Sequence, residues 1–137
     1  MAHELTESPE AVQVSVSAPG REELFRAALE GVLEASYGAA ASDGAYAGRV
    51  VPVQAAGGED ETLLAGLVDD TLRAIREEAG TLRPPRWLAF DERRVTANLP
   101  LHSPRSPSRE LELSRAEVTE SENGWTARLE LLRAVES

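Results

Sequence analysis

The feature that most constrains the fold is a strand pattern that runs almost directly into a helix pattern near the start of the chain. Val12, Val14 and Val16 alternate with polar residues, which is typical of a strand with one buried face. After a Pro-Gly pair, apolar residues recur at helical spacing between Glu22 and Gly38. The join predicts a helix whose apolar side packs against the sheet to which the strand belongs.

The next segments repeat this alternation. A short strand is predicted over 49–53, where Pro52 favours the edge of a sheet because proline cannot donate to a ladder. Acidic residues then open a second helix, rich in leucine on one side, which ends at Gly80. A strand over 87–90 and a strand over 95–99 follow, with a turn between them.

The last third of the chain predicts a loop and a hairpin. Three prolines argue against regular structure over 100–108. The apolar phase changes near Ser114, which indicates a β-bulge or a bend. Asn123-Gly124 is a strong hairpin signal, and it leads into a strand whose buried face includes Trp125. The order β-α-β-α-β-β-β-β predicts one α+β domain over 1–137, a two-layer sandwich with two helices on a curved, mostly antiparallel sheet.

Composition limits the functional classes. The net charge of −10 argues against tight direct binding of nucleic acid, which requires clustered cations. The absence of cysteine excludes disulfides and thiolate metal sites. No apolar run approaches the length of a membrane span, and the polar start does not look like a signal peptide, so we expect a cytoplasmic protein without a membrane partner.

No catalytic set is apparent in the sequence. The chain has two histidines, His3 and His102, and neither has an evident orienting partner, so a solvated position for His102 in the proline-rich loop is favoured. Asp69 and Asp70 are adjacent on a predicted helix, where side chains diverge by about 100°, which favours a solvated face over an acid–base pair. We therefore expect neither an enzyme nor a cofactor.

The order and spacing of several segments resemble the archease family, whose members assist the RNA ligase that seals tRNA halves ending in a 2′,3′-cyclic phosphate. The lead-in HELTESPEAV, the helix motifs EELFRAA and LLAGLVDDTL, and the closing hairpin around GWTARL carry the resemblance. It implies the archease α+β fold over nearly the whole chain. It also implies an RNA-splicing ligase, or another RNA-processing enzyme, as the partner.

The departures from the family pattern fall on its metal-ligand positions. The resemblance places two ligand aspartates of the family at Ala11 and Leu132, so it implies that the metal site is lost. Other polar positions of the family fall at Ser8, Gly66 and Ser114. At three further positions the resemblance implies candidates for retained site residues: Glu7 keeps an acid, His102 keeps a histidine and Arg109 replaces a lysine.

Three functional hypotheses follow. The first is a metal-free, non-catalytic accessory protein that docks on an RNA ligase, for which the acidic first 80 residues would suit a basic partner. The second is a scaffold repurposed as a chaperone-like or structural protein-interaction module with no RNA role. The third, an enzyme with a site of its own, is disfavoured because no nucleophile–base pair can be named.

Overall fold

The computed structural model describes residues 2–38, 45–85, 88–91, 93–103 and 109–133. Within these ranges the protein has two helices and eight strands, all paired antiparallel, so the predicted α+β class is confirmed. Strands β1 and β4 are additional to the predicted order, and Trp87 lies outside the described residues. The elements are β1 Ala2–Glu7, β2 Ala11–Ala18, α1 Arg21–Tyr37, β3 Ala45–Ala56, α2 Asp60–Glu77, β4 Thr81–Leu82, β5 Leu88–Asp91, β6 Arg94–Ser103, β7 Leu111–Ser121 and β8 Gly124–Arg133.

Hydrogen bonding divides the described strands between two four-stranded sheets, whereas the sequence predicts one curved sheet. The first sheet has the order β1-β2-β8-β7. In the second, β6 pairs with β3 on one side and with β4 and β5 on the other. Both helices contact strands of both sheets, so the helical layer joins the two halves of the fold. Neither helix in the described part of the chain is long and apolar enough to cross a membrane.

Helix α1 lies deep in the core. Its buried side chains pack on β2, β1 and β8, and the Phe25 ring meets the edge of Phe90 on β5 at a centroid distance of 5.2 Å. At its start, Arg21 lies over the Phe90 ring and pairs with Asp60 at the start of α2, at 2.7 Å. The alternating valines of β2 are buried against this helix, as their spacing predicts.

Helix α2 is held at two sheet edges by its carboxylates. Glu61 accepts a hydrogen bond from the backbone N–H of Val118 on β7, and Asp70 accepts one from the N–H of Gln54 on β3. Both strands are terminal in their sheets, so these N–H groups have no neighbouring strand to bond. Because Gln54 donates outwards, the nitrogen of Pro52 also faces the outer edge, where proline removes no ladder bond.

The predicted bulge of the last hairpin is confirmed, while its turn lies one residue away from the predicted position. The register between β7 and β8 shifts between Leu113 and Arg115, so the change of apolar phase marks a true β-bulge at Ser114. The hairpin closes one residue earlier than the sequence signal suggests: Ser121 pairs with Gly124, whose φ is 132°. Trp125 is half-buried and packs against the core.

The prediction of a loop from residue 100 is wrong for its first residues. Strand β6 continues through Pro100 to Ser103, in the middle of the second sheet. The pairing with β3 is irregular here, since it shifts between Tyr46 and Val50. Pro100 itself fits because its carbonyl accepts the N–H of Arg83, so its nitrogen also faces that side, where β4 has already ended at Leu82. Gly48 lies inside this irregularity with a φ of 88°. Residues 104–108 of the predicted loop lie outside the described residues.

Candidate functional site

The two positions where the resemblance places ligand aspartates lie directly opposite each other. Ala11 on β2 and Leu132 on β8 are register partners, and Leu132 also pairs with Glu112 on β7. Their neighbours Val12 and Leu131 are buried under the helices, so Ala11 and Leu132 occupy the outer face of the sheet. Leu132 is 39% exposed there. The outer face at this end of the sheet therefore presents the apolar side chains of Ala11 and Leu132 beside the carboxylate of Glu112.

Two of the candidate residues, Glu7 and Arg109, form an ion pair at the same end of the sheet but on its other face, because Glu7 pairs with the buried Val12. Arg109 Nη1 lies 2.7 Å from Glu7 Oε1, at the end of β1. The backbone N–H of Arg109 donates to the carbonyl of Ser36 near the end of α1. This bond fixes the backbone position from which the arginine side chain extends. Both side chains are more than a third exposed, so the pair contributes at most about 1 kcal/mol to stability.

Ser8 closes the turn that brings β1 beside β2. Its Oγ accepts the backbone N–H of Ala11 and donates to the carbonyl of Ala11, each at 3.2 Å, while its own N–H donates to that carbonyl at 2.8 Å. The hydroxyl thus serves the turn rather than a ligand. Next to it, the N–H of Arg133 donates to the carbonyl of Glu10, which attaches the turn to the end of β8.

The other positions that the resemblance singles out lie elsewhere. Gly66 on α2 faces β3, and a Cβ at this position would lie 2.8 Å from the Cβ of Ala55. Ser114 lies at the bulge of β7. His102 is in the second sheet, paired with Tyr46 and Thr81. Among the described residues, no group of three or more histidine, cysteine, aspartate or glutamate side chains is placed to hold a metal ion.

Asp69 and Asp70 have different roles despite their adjacency. Asp70 accepts the N–H of Gln54 and two hydrogen bonds from the guanidinium of Arg73, which raise the pKa of Arg73. Asp69 lines the open cleft next to Gly66; partial burial raises the pKa of its carboxyl, and the charge of Arg76 partly opposes this shift. The sequence predicts a solvated face for both aspartates, but Asp70 has a structural partner.

A second cleft, on the outer face of the second sheet, contains His102. The exposed ring of Tyr46 lies beside the imidazole, with 6.0 Å between ring centroids. Nothing in the sequence singles out Tyr46, because its position depends on the irregular pairing of β3. His102 is thus a strand residue of a cleft, whereas the sequence placed it in a solvated loop, and it lies in a different sheet from Glu7.

Comparison with known proteins leaves the resemblance as an interpretation of the residues alone. A scan against models of protein families found no match, and a search of curated proteins found none either.

Proposed function

We propose that this chain is a non-catalytic accessory protein of the archease type, which assists an RNA ligase that joins tRNA halves and does so without a metal of its own. The register of β2 and β8 is the observation that supports it most. Ala11 and Leu132 are identified from segments at opposite ends of the sequence, yet they are direct partners. Since a slip of one residue would put either side chain on the other face, their pairing argues for the placement of both motifs.

The electrostatics of this end of the sheet support a metal-free scaffold. A hard divalent cation needs several converging oxygens. Here the carboxylate of Glu7 already faces the guanidinium of Arg109, and the two central ligand positions of the family are alanine and leucine. The positive charge that a metal would bring to Glu7 is supplied by a side chain.

Such a protein would act by binding a partner protein and changing the turnover of that partner. The chain is strongly acidic, which favours association with a basic protein surface through complementary charge. Leu132 leaves an apolar side chain partly exposed on the outer face of the sheet, where it can contribute to a contact surface. A protein-interaction module with no RNA role is the second candidate, and it is favoured by the same exposed leucine.

Ligation kinetics with purified components test the proposal. The RNA ligase from the same genome is given RNA halves that end in a 2′,3′-cyclic phosphate, with and without substoichiometric amounts of this chain. We expect more product per ligase molecule when the chain is present, and no cleavage or joining by the chain alone. Leu132→Glu should reduce the stimulation, while Thr126→Glu, an exposed position of the same strand, should not.

Two results would contradict the proposal. Unchanged ligase turnover at every ratio of the two proteins would favour the interaction module without an RNA role. Joining or cleavage of the RNA by the chain alone would show that it has a catalytic site of its own.

A further inference from the structure

The cleft on the outer face of the second sheet has a volume of about 650 Å³, which is within the usual range of small-molecule sites. Its walls combine an aromatic pair, Tyr46 and His102, with the amide of Asn98 and the guanidinium of Arg83. Tyr46 is 56% exposed and Val50 is 42% exposed, although both are large apolar side chains. Exposed apolar surface next to a few polar groups is typical of a binding site.

The irregular backbone of β3 creates this surface. The pairing with β6 is interrupted between Tyr46 and Val50, and Gly48 takes a φ of 88° within the interruption. Such irregularities redirect side chains and occur often beside functional sites. The Tyr46 ring therefore lies beside the ring of His102 at 58° to its plane, and both residues line the cleft.

One ring nitrogen of His102, Nδ1, is buried and has no hydrogen-bond partner among the described residues. Because Nδ1 is buried, a ligand in the cleft would contact His102 through its ring face or its other nitrogen.

The charge of this cleft differs from that of the rest of the molecule. Four other clefts of the described residues are each lined by carboxylates, as a net charge of −10 leads one to expect. Among the described residues that line this one there is no acidic side chain, and Arg83 contributes a positive charge. An anionic ligand meets less repulsion here than in those other clefts.

We propose that this cleft binds a nucleoside phosphate. A base stacks on Tyr46 beside His102, since stacking on an aromatic side chain accepts any base. The amide of Asn98 can both donate to and accept from a base edge, and Arg83 attracts the phosphate. The ligand is either a free nucleotide or the terminal nucleotide of an RNA, and only the second source rests on the proposed role beside an RNA ligase.

Titration followed by NMR tests the site directly. AMP, UMP, adenosine and inorganic phosphate are each added to the ¹⁵N-labelled protein, and an RNA dinucleotide ending in a 2′,3′-cyclic phosphate is added in a separate series. We expect shift changes at Tyr46, Asn98 and His102 with AMP and UMP, and weaker binding of adenosine. Tighter binding of the dinucleotide than of UMP would identify an RNA end as the source, and the reverse order would identify a free nucleotide.

Variants assign the contacts. Tyr46→Ala should weaken AMP binding about tenfold or more, the effect expected for loss of one stacked base, while Tyr46→Phe should retain it. Arg83→Gln should abolish the preference for AMP over adenosine. Arg128→Gln is the matched control, because this arginine lies on the outer face of the first sheet in a cleft lined by Glu117.

The inference is overturned if millimolar AMP and UMP cause no shift changes at Tyr46 or His102 in the wild-type protein. Equal losses of affinity in Arg83→Gln and Arg128→Gln would also overturn it. They would show that the nucleotide is attracted by surface positive charge in general and not by this cleft. Failure of ligase stimulation leaves these measurements unaffected, because they use the chain alone. Nucleotide binding without stimulation would therefore retain this site and refute only the proposed accessory role.

Discussion

The double change Ala11→Asp with Leu132→Asp should create calcium binding that we expect the wild-type protein to lack. The two residues are direct partners, so their Cβ atoms lie about 4.5–5.5 Å apart, and Glu112 pairs with Leu132 on the other side. The variant would therefore place three carboxylates in one row across β2, β8 and β7. Several converging carboxylate oxygens are what calcium requires.

The magnitude follows from the same geometry. Without calcium, two like-charge pairs cost roughly 0.4–2 kcal/mol together, and loss of the partly exposed Leu132 side chain adds up to about 1 kcal/mol. Calcium at about 100 times its dissociation constant would restore about 2.7 kcal/mol. In a chain of this size 1 kcal/mol corresponds to about 3–5 °C, so calcium should raise the melting temperature of the double variant by roughly 10 °C.

Thermal melts with calcium or with a chelator, together with titration calorimetry, measure both effects. Ser17→Asp with Thr126→Asp is the matched control, because these residues pair on the same strands and the next residue in the row is Thr119. It adds the same charge without a third carboxylate and should respond weakly. A double variant at Ala11 and Leu132 that is indifferent to calcium would refute the placement of the family motifs, and tight calcium binding by the wild type would refute the metal-free interpretation.

Three further predictions concern positions outside that row. Asp70→Asn removes a charged acceptor from the N–H of Gln54 and should lower the free energy of unfolding in urea by about 1 kcal/mol; an unchanged midpoint would count against the edge contact. Asp69→Asn should raise the melting temperature at pH 7, because burial raises the pKa of the native carboxyl and so penalises its ionised form. That gain should vanish as the pH falls below about 4, where the unfolded carboxyl is protonated as well, and a gain independent of pH would exclude this cause. Gly48→Ala should lower the free energy of unfolding by about 1–2 kcal/mol through the positive φ alone, since nothing lies within 4 Å of the added carbon. Gly58→Ala, which has equal space and no positive φ, should not destabilise the protein. Equal urea midpoints for the two variants would contradict this explanation.

The parts of the fold that could be predicted from the sequence are those with a local signal. The alternation of Val12, Val14 and Val16 identifies β2, and the change of phase at Ser114 identifies the bulge. Both follow from the two-residue period of a strand, which needs no knowledge of its partner. The approach of Ala11 to Leu132 could be inferred only through the resemblance, because sequence periodicity does not specify which strands pair.

The remaining features depend on contacts that are distant in sequence. Strand β1 is polar and lacks alternation, and it exists because it pairs along β2. Three prolines predict a loop from residue 100, yet Pro100 stays in β6 because its nitrogen faces the side of β4, which has already ended at Leu82. The irregular pairing of β3 exposes Tyr46, so neither this residue nor the cleft around it could be predicted from local pattern.

The two carboxylates with which α2 reaches the edges of both sheets have a consequence for how the protein opens. Because Glu61 and Asp70 belong to one helix, β7 and β3 lose these acceptors in a single event when the helix detaches. Each would then present unpaired backbone groups, the template on which other chains add strands. The form with α2 undocked would have two exposed strand edges that can pair with strands of other chains. One molecule could then join two others and begin a linear polymer.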